Sequence, residues 1–366
     1  MRSSLRFRQR LAAISISALL MSSFTAFASD FSQSYAAYKQ AIAEKNSEQI
    51  LKYAKQAYEL GGVQFGANSL DTVNLALNYA SALQGLEKVE KGKIEQANSL
   101  YLLALERYQS KFGDQALEVL DPLIGAAQTS SEPKTAKSLF EDAIDISSDA
   151  DNPILYADTL SAAFATLSKT PLYNRKIRNY ALEAYEIYKE ELPQDSLTRV
   201  KAAFIAGSIH FVEKKNSRAI PLLNEVVQQF SVLDYTHPYE LKAHAYLVEL
   251  YEREGESDKS TKHCIAIGSM RPWLDDQEQV PLYRQHPKYP VSYAKRGKEG
   301  WAEVSFIVDE SGFVREPKLI DSEGGDKFSD ATIDALKQWR YAPKFVDGVP
   351  VAAESSVMLE FTVERR

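Results

Sequence analysis

Few side chains of this chain have the type and spacing that catalysis or metal binding requires. His237 and His244 lie seven residues apart, so they do not form the His-x-x-x-His pair typical of a helical metal site. Cys264 is the only cysteine, so neither a thiolate cluster nor an internal disulfide exists. We therefore predict no metal site. The five histidines are dispersed: His210, His237, His244, His263 and His286.

Cofactor-binding loops and positioned catalytic carboxylates are also absent from the sequence pattern. Gly61-Gly62 and Gly324-Gly325 lack the residues that complete a phosphate-binding motif, so both pairs are predicted to end structural elements. Asp149 and Asp151 fall in a predicted turn and are interpreted as solvated loop charges. Cys264 lies on the apolar side of its predicted helix, which favours a buried small side chain over a reactive thiol. We predict that the protein is not an enzyme and uses no cofactor.

The length and composition predict a folded protein of about two domains. The chain has 366 residues, of which 45% are hydrophobic, as is typical of folded soluble proteins. Its net charge of -7 argues against nucleic-acid binding, which requires a basic surface. We therefore expect no nucleic-acid partner.

The amino terminus has the pattern of a secretory signal. Four arginines precede an apolar run at residues 11–21, and the small residues Ala26 and Ala28 follow. This order predicts a signal peptide over residues 1–28, cleaved between Ala28 and Ser29. An uncleaved membrane anchor is the alternative, but the run is short and interrupted by serines, whereas a spanning helix needs about 20 apolar residues.

Residues 29–273 have a helical period almost throughout. Small or apolar side chains recur about every 40 residues, which is the scale of helical-hairpin repeats. Partner helices are predicted between these positions, over residues 71–86, 155–167, 196–212 and 239–254. The six positions set as equivalent are Ala57, Ala104, Ala143, Ala184, Leu223 and Cys264.

This pattern resembles longer variants of the tetratricopeptide repeat. The Trp and Gly-Tyr positions of the standard repeat are mostly missing and the repeat length drifts, so we predict about six degenerate repeats in an all-α solenoid. An irregular helical bundle is the alternative. The concave groove of such a solenoid commonly binds peptides or proteins, but no residue here identifies the ligand of the repeats.

After a predicted junction at residues 274–283, the period changes from helical to alternating. Residues 302–308 largely alternate between apolar and polar side chains, which predicts a strand with one buried face. A second strand follows Gly312, where glycine supplies the positive φ of a tight hairpin. Residues 357–363 alternate again and predict a final strand. We assign residues 284–366 to this C-terminal domain.

A short helix is predicted between the second strand and the final strand. Ser329 is a candidate N-cap, with Asp330 in the positively polarised first turn. Phe328, Leu336 and Trp339 recur at helical spacing, which lays the helix on the sheet with Trp339 as its anchor. The predicted fold class is therefore α+β in two domains: a helical-hairpin solenoid followed by a small β-β-α-β domain.

The final strand is predicted to lie at an edge of its sheet. Charged residues such as Glu360, Glu364 and the terminal arginines would blunt such an edge against pairing. An open edge can instead accept an extended peptide as an added strand. The residues alone leave both interpretations open.

Five motifs occur in a defined order along this region. They are the Tyr289-Pro290 pair, the Glu299-Gly300 lead-in, the turn at residues 309–312, the helix exit at residues 339–343 and Phe361. This order resembles the C-terminal domain of the TonB family, periplasmic proteins that grip outer-membrane receptors. The resemblance covers residues 286–363, about a fifth of the chain. We predict structural roles for Gly300, Gly312, Trp339, Tyr341 and Pro343.

The resemblance implies two partner-binding segments. Residues 286–290 would contact the receptor just before the sheet, and residues 355–363 would form the edge strand. In the family this strand binds the short N-terminal box peptide of the receptor as an added strand. The implied contact residues are His286, Pro287, Tyr289, Pro290, Ser355, Val357, Leu359, Phe361 and Val363.

The function predicted from these features is that of a TonB-type adaptor in the periplasm of a Gram-negative bacterium. It would bind a receptor or another envelope component through its C-terminal domain and a second protein through its repeats. The alternative is an energy transducer for transmembrane transport, anchored in the inner membrane and coupled to a proton-driven motor. Transducers of the family cross the periplasm on a proline-rich spacer, whereas here the first proline is Pro122. A third hypothesis is an envelope scaffold that uses the fold for an unrelated purpose.

Overall fold

The computed structural model describes residues 30–86, 90–230, 237–270 and 280–363. The predicted signal peptide, its cleavage site and most of the predicted junction lie outside these ranges. The chain divides into two compact units, with the boundary between Ile187 and Tyr188. The predicted domain limits at residues 273 and 284 stay a prediction.

The first unit consists of α-helices joined by short turns. Asn46, Ser69 and Asn152 cap the second, third and seventh helices by accepting a hydrogen bond from a backbone N–H of the first turn. The helices are α1 (residues 30–43), α2 (Ser47–Phe65), α3 (Leu70–Gln84), α4 (Lys91–Phe112), α5 (Leu120–Thr129), α6 (Pro133–Ser148), α7 (Pro153–Leu167) and α8 (Arg175–Glu191), whose last residues belong to the second unit.

The second unit continues with two helical hairpins before its sheet. Helix α9 (Leu197–Val212) packs on α10 (Asn216–Phe230), and α11 (Pro238–Arg253) packs on α12 (Ser257–Met270). The first helices of the two hairpins also contact each other, as in a stack of repeats. The predicted partner helices at residues 71–86, 155–167, 196–212 and 239–254 correspond to α3, α7, α9 and α11.

The predicted repeat register is confirmed. The six positions set as equivalent are all buried, and they fall on every second helix, from α2 to α12. Alanine recurs at these positions because a small side chain lets the two helices of a hairpin approach closely. This regular spacing favours the repeat interpretation over an irregular bundle.

The C-terminal sheet has the predicted β-β-α-β core. Strands β2 (Gly300–Val308), β3 (Val314–Glu323) and β7 (Ala353–Phe361) form an antiparallel sheet in the order β3-β2-β7. Helix α14 (Asp326–Leu336) contacts β2 and β3. In the register of β2 and β7, Val304 faces Val357 and Ala302 faces Leu359.

Several short elements of this region were not predicted. Strand β1 (Pro281–Tyr283) pairs with β4 (Arg340–Tyr341), and β5 (Lys344–Val346) forms a hairpin with β6 (Val349–Val351). A one-turn helix, α13 (Val291–Ala294), precedes β2. Elements of two to four residues are too short to show a hydrophobic period.

Two details of the predicted helix are wrong. Helix α14 begins at Asp326 rather than after Ser329, because Gly325 at φ 117° lets the chain turn directly from β3 into the helix. Ser329 is buried within the helix. The helix also ends at Leu336, and Trp339 lies in the turn that follows, where its backbone N–H donates to the Leu336 carbonyl at 3.0 Å.

Candidate partner-binding site

One edge of the C-terminal sheet is open at β7. In the described part of the chain β7 pairs with β2 alone, so the backbone N–H and C=O groups on its other side are not paired with another strand. The strand ends at Phe361, and beyond it the Val363 N–H donates to the Glu299 carboxylate at 3.0 Å. Residues 355–361 of the predicted segment thus lie in the edge strand, and residues 362–363 follow it.

The side chains of β7 alternate between the core and solvent. Val357 and Leu359 are half-buried and pack on the core of the domain, and Phe361 is only 3% exposed. The side chains between them point to solvent, including Met358 and Glu360. The side chains of Val357, Leu359 and Phe361 therefore hold the strand on the core.

An aromatic cluster joins the two predicted segments. The ring of Tyr289 meets those of Phe328 and Phe361 edge-on, with centroids 5.6 and 5.7 Å apart. Phe328 stacks on Phe361 at 4.6 Å. The Tyr289 hydroxyl donates to the Lys298 carbonyl at 2.5 Å. The segment at residues 286–290 therefore reaches the end of β7, from which it is distant in sequence.

The remaining residues of the 286–290 segment lie at or near the surface. Pro290 is the N-cap of α13, so it ends the segment at the start of that one-turn helix. His286 and Lys288 are exposed, and the other three residues are half-buried. The fold thus brings the two predicted segments together at the Phe361 end of β7.

The residues predicted to be structural occupy tight places in the domain. A Cβ atom on Gly300 would clash with the Glu323 carbonyl oxygen, and one on Gly312 would clash with the Tyr341 carbonyl oxygen. Gly312 has φ 81°, and its carbonyl accepts the Tyr341 N–H at 2.9 Å. Tyr341 is buried, which raises the pKa of its hydroxyl. These contacts fix the turn between β2 and β3 against β4.

Trp339 connects the core to the segment before the sheet. It is 2% exposed and packs with Val304, Phe306 and Leu336. Its indole N–H donates to the Gln285 carbonyl at 2.8 Å. The contacts of Trp339 therefore extend from the core to the start of the 286–290 segment.

Sequence reasoning missed Arg340 and Glu252. Arg340 lies between the two buried aromatic residues Trp339 and Tyr341, yet its own side chain is also buried and pairs with the Glu252 carboxylate. The sequence signal for a buried ion pair was a charged residue between two aromatic residues predicted to be structural. Its partner is 88 residues away in sequence, so no local pattern identifies it.

Two histidines face each other between α11 and α12. The Nδ1 atoms of His244 and His263 are 2.7 Å apart, so one ring donates and the other accepts. Burial lowers the pKa of each ring to about 4, and each is thus neutral at pH 7. Within the described ranges, no three His, Cys, Asp or Glu side chains converge to hold a metal ion. Cys264 is buried, and burial raises the pKa of its thiol to about 12.

The histidine pair predicts a loss of stability in acid. Unfolded histidines bind protons near pH 6.5, whereas the folded rings, whose pKa is lowered, resist protonation until about pH 4. The free energy of unfolding is therefore highest above pH 6.5 and should fall by roughly 3 kcal/mol for each ring as the pH drops to 4. Urea unfolding at several pH values measures this loss. His244→Asn should flatten the dependence and the exposed control His286→Asn should not; equal slopes in all three proteins would contradict the prediction.

Comparison with known proteins finds relatives of the C-terminal region. Residues 285–363 match the family model described as Gram-negative bacterial TonB protein C-terminal. The TonB protein of Vibrio cholerae is 31% identical over 94 residues, and that of Pseudomonas aeruginosa is 29% identical over 93 residues. These alignments cover 26% and 25% of this chain but only 38% and 27% of the relatives.

A solved structure matches the same region. The solution structure of the Pseudomonas aeruginosa TonB C-terminal domain is 29% identical, with a TM-score of 0.23. The match covers 25% of this chain and 94% of that domain. Among the helices of the described ranges, none combines the length and apolar character needed to cross a bilayer.

Proposed function

We propose, on the premise that residues 285–363 form a TonB-type C-terminal domain preceded by helical repeats, that this chain is a non-enzymatic adaptor of the Gram-negative envelope. Its C-terminal domain would bind an extended peptide of an outer-membrane receptor, and its repeats would hold a second protein. The observation that carries the proposal is the open edge of β7 beside the Tyr289 cluster.

The open edge supports peptide binding through the backbone. Strand addition takes its affinity from main-chain hydrogen bonds, and side chains on the exposed face add specificity. Val357 and Leu359 anchor β7 to the core, so the strand is held in an extended form before a peptide arrives. Preorganisation of this kind lowers the entropic cost of binding.

The location that we propose is the periplasm, after cleavage of residues 1–28. The alternative remains a transducer anchored in the inner membrane by the same amino-terminal segment. In the described ranges before the C-terminal sheet, this chain forms helical hairpins, whereas transducers of the family carry a proline-rich spacer there. This difference favours the adaptor.

Fractionation with amino-terminal sequencing tests the adaptor against the transducer. The mature protein is expected in the soluble periplasmic fraction, beginning at Ser29. Replacing Ala26 and Ala28 by bulky residues should block cleavage and retain the chain on the membrane. An intact amino terminus on a carbonate-resistant membrane protein would instead support the transducer.

A further inference from the structure

The side chain of Arg340 is enclosed between the C-terminal sheet and the last helical hairpin. It is 1% exposed and pairs with the carboxylate of Glu252 on α11. Its guanidinium also donates to the Ser260 hydroxyl at 2.6 Å and to the Thr261 hydroxyl at 2.9 Å, both on α12. A further hydrogen bond, of 2.9 Å, reaches the Ser311 carbonyl in the turn between β2 and β3. One side chain thus links both helices of the hairpin to the sheet.

Burying the charged guanidinium of Arg340 costs free energy of desolvation, which its partners must offset. Its guanidinium carbon lies 3.7 Å from the centre of the Phe313 ring, and Glu252 also accepts a hydrogen bond from Ser257 at 2.8 Å. A buried cation that loses its carboxylate is strongly destabilising, because nothing replaces the lost hydration. The arrangement therefore requires both partners.

Apolar contacts surround the ion pair. Cys264 and Ile267 of the hairpin share a cluster with Leu282 and Ala342 of the C-terminal region. Gly268 lies so close to the sheet region that a Cβ atom there would be 2.6 Å from the Pro343 carbonyl oxygen. Such close backbone approach indicates a fitted interface rather than a loose contact.

We propose that hairpin α11–α12 is an integral part of the C-terminal module, with Glu252 as the positioning residue that acts through Arg340 on the turn at residues 309–312. The module that presents the β7 edge then begins at α11, not after α12. All of these contacts lie within the second unit, and none of them involves a receptor.

Cleavage of the full chain tests the proposal. A site for a sequence-specific protease is placed within residues 274–278, and the cut protein is analysed by size exclusion at micromolar concentration. The two pieces should stay together. Glu252→Gln should weaken their association by about 100-fold or more, because it leaves the Arg340 cation unpaired. Glu225→Gln, which removes the carboxylate partner of Arg199 at 3.0 Å in the same unit, is the matched control and should leave the association unchanged.

Removal of both charges provides a second arm. In the double variant Glu252→Leu, Arg340→Leu, the two pieces should associate at least about tenfold more tightly than in Glu252→Gln, since no unpaired charge remains. Far-UV circular dichroism of the separated repeat piece should show unchanged helicity in Glu252→Gln. The proposal is overturned if the wild-type pieces separate, if Glu252→Gln behaves like Glu225→Gln, or if the variant loses the helices themselves.

Discussion

Replacing Trp339 by alanine is expected to destabilise the C-terminal domain by about 3–5 kcal/mol. The indole is buried against Val304, Phe306 and Leu336, so its removal leaves a large cavity in a small core. It also removes the donor that pairs with the Gln285 carbonyl at 2.8 Å. Urea unfolding of the full chain, followed by far-UV circular dichroism, measures the loss.

Two further variants separate the causes of the stability loss in Trp339→Ala. Trp339→Phe keeps most of the ring volume and removes the N–H donor, so it should cost less than the alanine change. Trp301→Ala is the matched control, since Trp301 is half-exposed and donates to the Glu323 carboxylate at 3.1 Å. The control should cost less than about 1.5 kcal/mol. Equal losses for Trp301→Ala and Trp339→Ala would contradict the anchoring role.

A proline in β7 is expected to weaken the binding of a receptor peptide when it removes an N–H from the open edge. Successive residues of a strand direct their N–H groups to opposite sides, so of Ser355 and Ser356 one faces β2 and the other faces the edge. The proline whose N–H would have faced the edge should leave the domain folded. It should lower the affinity for a receptor peptide by at least about tenfold. Ser355→Ala and Ser356→Ala keep both N–H groups and are the controls.

The outcome of the proline substitutions separates docking from a blunted edge. Unfolding curves identify which proline variant keeps the fold, and titration with receptor N-terminal peptides then measures its affinity. Strand addition is the wrong mode if the folded proline variant binds a peptide as tightly as its alanine control.

Elements with one buried face could be predicted from the sequence. In β2 and β7 every second side chain packs on the core, and in the repeats the small residues at Ala57 and its equivalents recur on every second helix. Burial of one face imposes the period of the element on the sequence. The predicted β-β-α-β order and the repeat register were therefore confirmed.

The remaining features depend on contacts that sequence periods do not record. The start of α14 is set by the backbone of Gly325 rather than by a capping side chain, so a start predicted from Ser329 as the cap is too late. Thr362, predicted within the final strand, lies beyond the pairing that ends at Phe361. Arg340 is buried in part against Glu252 and Ser260 on α11–α12, which are distant from it in sequence.

The central claim, that β7 is the edge to which a receptor peptide adds, is tested most directly by photo-crosslinking in the producing bacterium. A photoreactive amino acid is placed at Met358 of β7 or at Ile320 of β3, which are 52% and 54% exposed on opposite edges of the sheet. Irradiation should link the Met358 variant to an outer-membrane receptor and leave the Ile320 variant unlinked. Receptor adducts from Ile320 alone, or equally from both positions, would contradict the claim.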